Sequence, residues 1–197
     1  MTDVVLFHSV YGRRPAVMAA AEMLRAAGHR VAVPDLYGGP VAESIEEGFA
    51  LSRRVGWAAI VGRAREALRA VAPGAVLAGL SMGCGVAGEL LPERPQAAGL
   101  LLLNGFGGRP RGGLPVQVHV GSEDAMFPPA EVAAWARGMS AGGAVVRVFT
   151  YPGARHFFTD PGVDEYDEGA AGLAWRRALE FLEGFRAQPL TQATRPG

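Results

Sequence analysis

Residues 78–85 read AGLSMGCG and set Ser81 between Gly79 and Gly83, at the spacing G-x-S-x-G. A serine hydroxyl is a poor nucleophile until a base takes its proton. Its surroundings therefore decide whether this stretch does chemistry. The run GAVLAGLS (74–81) is apolar almost throughout, as in a strand covered on both faces. MGCGVAGELL follows at helical spacing. In a strand–turn–helix context the turn strains the serine backbone, exposes its Oγ and aims the amide of Met82 from a helix start at the reacting centre. Gly79, Gly83 and Gly85 are the small neighbours such a turn needs. The plain alternative is a serine that caps a helix in a structural turn. Cys84, the single cysteine of the chain, reads as a small buried hydrophobe, because nothing near it in sequence suggests the electropositive setting of a thiolate.

A base and an acid are needed to separate the two readings. The chain has four histidines. His29 stands at the start of a strand, and His119 lies inside VQVHV, where a core role is expected. His8 follows the first strand but precedes the serine. His156 follows the last strand, in a loop, and Asp124 closes VHVGSED just after another strand. The reading is therefore Ser81 as nucleophile, Asp124 as acid and His156 as base. Glu123 competes with Asp124, and Asp160 is a weaker acid candidate. The second oxyanion donor is expected on the loop HSVYG after the first strand, which makes it the amide of Val10, beside that of Met82.

These residues need a scaffold that brings strand ends together. Strand-like runs at 3–9, 29–36, 74–81, 97–105, 114–124 and 145–156 alternate with helical stretches at 14–28, about 52–71, from Met82, 129–141 and 167–185. Such alternation predicts an α/β fold, a mostly parallel central sheet with helices on both faces. In sheets of this kind functional residues gather beyond the carboxyl ends of the strands, and Ser81, Asp124, His156 and Val10 all fall there. With no repeat or linker in sight, residues 1–186 read as a single domain and 187–197 as a frayed tail. The 197 residues carry no net charge, 49% hydrophobic and 19% charged residues. That balance gives no reason to expect nucleic acid or an anionic membrane as partner. No signal segment is visible, and one cysteine forms no internal disulfide, so a soluble cytoplasmic protein is expected, monomer or homodimer. All nineteen basic residues are arginine, which leaves no lysine for Schiff-base chemistry.

The segments VVLFHSVYG, VPDLYG (33–38), GLSMGCG (79–85), VGSEDAMFPP (120–129) and YPGARHFF (151–158) together resemble the dienelactone hydrolase family of α/β-hydrolases, over nearly the whole chain. The order Ser81, Asp124, His156 is the nucleophile–acid–base order of that superfamily. The resemblance implies the α/β-hydrolase fold without a large lid, and cleavage of small esters, lactones or related acyl compounds with no metal or cofactor. It also implies a triad at the same three positions. The sequence departs from the family's founding enzymes in three places. Ser81 stands where they use cysteine, Ser9 where they carry a glutamate that holds the resting thiol, and Asp160 where they carry an arginine that clamps a substrate carboxylate. The first two changes agree with each other, because a serine stays neutral until its base acts. Dienelactone itself is thereby disfavoured as substrate, with Arg13, Arg53, Arg54, Arg109 and Arg155 left as candidate replacement clamps.

The expectation is a serine hydrolase acting on a small carboxylic ester, lactone or thioester through an acyl-serine. Acyl transfer on the same triad and a non-catalytic small-molecule or partner-binding relative are its rivals. Residues 37–57 are expected as a pocket rim, with Phe49 and Trp57 either as its apolar walls or as helix packing.

Overall fold

Leu100–Leu103, four consecutive leucines, form a strand in which every side chain is buried. Alternate residues of a strand face opposite ways. Leu100 and Leu102 accordingly join one apolar cluster, and Leu101 and Leu103 join another. A strand buried on both faces must be covered on both, and the rest of the chain supplies the cover.

The computed structural model describes residues 1–185. Six strands, β1 (Asp3–Phe7), β2 (Arg30–Ala32), β3 (Val76–Leu80), β4 (Leu100–Leu103), β5 (Pro115–Gly121) and β6 (Val145–Tyr151), form one sheet in the order β2-β1-β3-β4-β5-β6. All neighbours pair in parallel, so all carboxyl ends lie along one edge. α1 (Pro15–Ala26) and α6 (Glu168–Gly184) cover one face, where Val17, Leu24, Trp175 and Leu182 meet Val4, Leu6, Leu101 and Leu103. α3 (Trp57–Leu68), α4 (Met82–Leu90) and α5 (Pro129–Ala141) cover the other, where Ile60, Leu90 and Val132 meet Phe7, Leu77, Leu102 and Val118. Each fully buried leucine of this set contributes about 1.5–3 kcal/mol. The α/β reading of the sequence is thus the observed fold. Among the described residues, no helix is long and apolar enough to cross a membrane.

Two expectations are corrected. The helix expected over about 52–71 is two helices, α2 (Ile45–Val55) and α3, separated at Gly56, which adopts φ 82°. The rim segment 37–57 therefore contains a helix. Its start is capped by Ser44, whose side chain accepts from the Glu47 amide at 3.2 Å, a signal present in the sequence as S-x-x-E. The strand expected over 29–36 is only three residues long. Pro34 follows closely and has no amide to give to a ladder. The expected tail, 187–197, lies outside the described residues.

The other strands also stop short of their expected ends. The residues left over after β1, β3, β5 and β6 are the loops that hold the candidate site.

Candidate active site

Ser81 follows β3 directly and precedes α4, with φ 50° and ψ −111°. A non-glycine residue in this region costs of order 1–3 kcal/mol and persists only where its surroundings hold it. The glycines on either side allow the turn. A Cβ added to Gly79 would collide with the backbone of Gly83, and one added to Gly83 would collide with the carbonyl of Phe7 on β1. Gly85 has no such role: a Cβ there would meet only the far end of the Trp57 ring, at 3.2 Å. The Ser81 amide donates to the Leu103 carbonyl at 2.9 Å, tying the turn to β4.

The three residues singled out by chain order come together. Ser81 Oγ lies 2.8 Å from His156 Nε2, and His156 Nδ1 lies 2.8 Å from Asp124 Oδ2. All three are buried, none more than 6% exposed. The other carboxylate oxygen of Asp124 accepts from the amides of Met126 and Phe127, at 2.8 and 2.9 Å. Burial works to raise the Asp124 carboxyl, but the hydrogen bond from His156 and these two amides outweigh it and hold the group below the ordinary carboxylate value. An ionised Asp124 fixes the proton of a neutral His156 on Nδ1 and leaves Nε2 free to accept. Glu123, the rival acid, is exposed, and its backbone amide donates to the Ala154 carbonyl. Asp160 pairs instead with Arg14 across the α1 N-terminus.

Val10 is buried in the turn after β1. Among the described residues, neither its amide nor that of Met82 donates to a protein acceptor. Two unspent donors at the carboxyl edge of the sheet are what an oxyanion site requires. Cys84 is fully buried, with Sγ 3.2 Å from the Gly79 carbonyl and 3.3 Å from that of Leu103. Burial pushes its thiol well above the ordinary range, so no thiolate forms there near neutral pH.

Apolar side chains flank His156. The Phe127 ring lies 5.4 Å from the imidazole and meets Phe106, which packs on Trp135. Phe157 meets the imidazole edge-on at 4.2 Å. On that side Phe49 and Ile45 of α2, with Met82, pack on Val10, Tyr11, Ala42 and Phe157. Phe49 is thus part of a wall beside the site, whereas Trp57 is 44% exposed and packs toward Gly85. Of the candidate clamps, Arg13 stands 4.0 Å from Asp35, Arg155 donates to the Asp164 carbonyl, and Arg53, Arg54 and Arg109 are exposed. Among the described residues, no group of three or more His, Cys, Asp or Glu side chains is placed to hold a metal ion. The sequence reading missed Phe127, Phe106 and Trp135, because their convergence comes from three separate segments.

A six-stranded parallel sheet with a strained serine turn at its carboxyl edge defines a hydrolase of the α/β class. The model of the dienelactone hydrolase family matches residues 1–186, and the chain belongs to that family. A dienelactone hydrolase-like promiscuous phosphotriesterase from metagenomic libraries shares the fold at 20% identity, with TM-score 0.75, over 93% of this chain and 86% of its own. Thermogutta terrifontis esterase 2, phosphonylated by cyclosarin, does so at 17% identity and TM-score 0.71, over 93% and 83%. TT1662 from Thermus thermophilus does so at 20% identity and TM-score 0.67, over 95% and 90%. At these identities the likeness is one of fold. No curated protein matches the sequence.

Proposed function

We propose that this chain is a serine hydrolase that cleaves a small carboxylic ester, lactone or thioester through an acyl-serine intermediate. One observation carries the reading: the unbroken chain of two 2.8 Å contacts from Ser81 Oγ through the His156 ring to an Asp124 carboxylate. His156 Nε2 takes the Ser81 proton as Oγ attacks the acyl carbon. The oxygen of the tetrahedral intermediate accepts from the amides of Val10 and Met82. The intermediate collapses, the leaving group departs with the proton now on His156, and the acyl group stays on Oγ. Water then attacks the acyl carbon, gives its proton to His156 and releases the acid, and Ser81 recovers its hydrogen. Asp124 keeps the imidazole in the tautomer that can accept and stabilises its charged form.

The surroundings narrow the substrate. The walls beside His156 are apolar, Arg14 and Arg13 face Asp160 and Asp35, and Arg155 donates to the Asp164 carbonyl. This setting favours a neutral acyl compound over one that carries a carboxylate.

Intact-mass analysis after exposure to a fluorophosphonate tests the reading on the native chain, Ser81→Ala and Cys84→Ala. A relative of the same fold is described as phosphonylated by cyclosarin, which is the same kind of electrophile. One adduct on the native chain and on Cys84→Ala, with none on Ser81→Ala, is the expected result. No adduct on folded native protein overturns the reading in favour of a non-catalytic binding role.

A further inference from the structure

His8 is completely buried beneath the site, yet the triad makes no use of it. Its hydrogen bonds assign its tautomer. The Leu36 amide lies 3.0 Å from Nε2. An amide N–H only donates, so Nε2 is unprotonated. The proton of the neutral ring is then on Nδ1, which donates to the Ser9 carbonyl at 2.7 Å. Burial lowers the His8 pKa and keeps the ring in this neutral form. The same Ser9 oxygen accepts a second hydrogen bond, from the Gly12 amide at 3.1 Å.

The Ser9 carbonyl and the Val10 N–H are opposite ends of one planar peptide. Holding the oxygen with two donors fixes the direction in which the Val10 N–H points. It also strengthens that N–H as a donor, because hydrogen bonds in series polarise one another. The next peptide is held as well. The buried Tyr37 hydroxyl donates to the Val10 carbonyl at 3.0 Å and lies 3.4 Å from Met82 Sδ. Its ring meets the His8 ring edge-to-face at 5.0 Å. α2 presses on the same carbonyl through Gly48, where a Cβ would come within 2.9 Å of the Val10 oxygen. Tyr37 thus reaches both residues whose amides serve the oxyanion.

We propose that His8 and Tyr37 form a clamp that aims the Val10 amide at the oxyanion, acting as positioning residues for the reaction proposed above, on which this inference rests. The clamp makes a distinction that packing alone does not. Asparagine at position 8 keeps a donor near the place of Nδ1, within reach of the Ser9 oxygen. Glutamine reaches toward the place of Nε2, serving Leu36 but leaving the Ser9 oxygen with one donor fewer.

The experiment compares His8→Asn, His8→Gln and Tyr37→Phe with the native chain. It measures p-nitrophenyl acetate hydrolysis, inhibition by an aryl trifluoromethyl ketone whose adduct carries an oxyanion, and the thermal midpoint. His8→Gln and Tyr37→Phe are expected to lower kcat about ten- to a hundredfold with KM little changed, below the loss seen when an oxyanion donor is removed outright. Ketone inhibition should weaken by the same factor, and His8→Asn should recover most of the activity. Rates that follow thermal midpoints across the three variants, or ketone inhibition that does not move, overturn the clamp. Should the His8 variants fail to fold, Tyr37→Phe, which loses one hydroxyl, decides by the same readouts. A native chain that hydrolyses no ester and takes no fluorophosphonate overturns the proposed function and the clamp together. A native chain active through Ser81, with Tyr37→Phe and His8→Gln equal to it, overturns the clamp alone.

Discussion

Two buried histidines, His156 at the tips of the strands and His119 inside β5, have both ring nitrogens engaged, yet their partners differ in charge. His156 stands between a carboxylate and a hydroxyl. His119 accepts from the Tyr151 hydroxyl at 2.7 Å on Nδ1 and donates to Gln117 Oε1 at 3.0 Å from Nε2. It stacks on Phe149, which carries the Arg177 guanidinium 4.2 Å from its ring centre. Burial first, and the Arg177 charge second, push the His119 pKa down to about 3. Burial alone therefore makes neither a base nor a spectator of a histidine. His156 faces a carboxylate, whereas His119 is kept neutral because its partners are neutral and a cation stands near.

The largest expected effect breaks this comparison at the acid. Asp124→Asn replaces the anion by a neutral acceptor and donor of the same shape, making the His156 setting resemble that of His119. Ester hydrolysis should fall about 10³–10⁴-fold with the fold intact, read by kcat/KM beside circular dichroism. Acid stability sharpens the other side. His119 titrates near 6.5 when unfolded and near 3 when folded, so the unfolded chain holds the extra proton throughout that window and stability falls as pH falls. Between pH 7 and pH 4 the loss from His119 should be roughly 3 kcal/mol, and His8 adds to it in the same direction. Urea midpoints measured against pH should flatten in His119→Gln. Cys84→Ala should cost only about 1–2 kcal/mol in urea unfolding and leave the rate of fluorophosphonate labelling unchanged, because the thiol packs without taking part. The smallest effect is expected at the rival acid: Glu123→Gln should leave kcat/KM within about twofold of native and stability within about 0.5 kcal/mol.

The candidate site was legible to the extent that its chemistry follows one rule. A parallel sheet puts all strand ends on one edge, so strand-end position, the G-x-S-x-G spacing and chain order together made Ser81, Asp124, His156 and Val10 readable as candidates. The order of the strands does not matter to that argument. His8 and Tyr37 were not readable in their present roles, because their hydrogen bonds depend on how the segment after β2 folds back over β1. The break at Gly56 was missed for a different reason. Apolar spacing runs through 52–71, and one glycine inside a helical pattern usually costs only about 1 kcal/mol. Here its φ of 82° ends one helix and starts another. The short β2 is similar, since VAV has the composition of a strand and only Pro34 argues against extending it.

The strand order also sets a schedule for the ribosome. β1, β3 and β4, which build the serine turn, are complete once residue 103 has been made, but Asp124 follows β5 and His156 follows β6, an edge strand and the last of the described strands to be synthesised. On the proposed mechanism, a nascent chain can therefore shape the serine turn early and still carry an unreactive hydroxyl, and the site is armed only when translation has delivered its far edge.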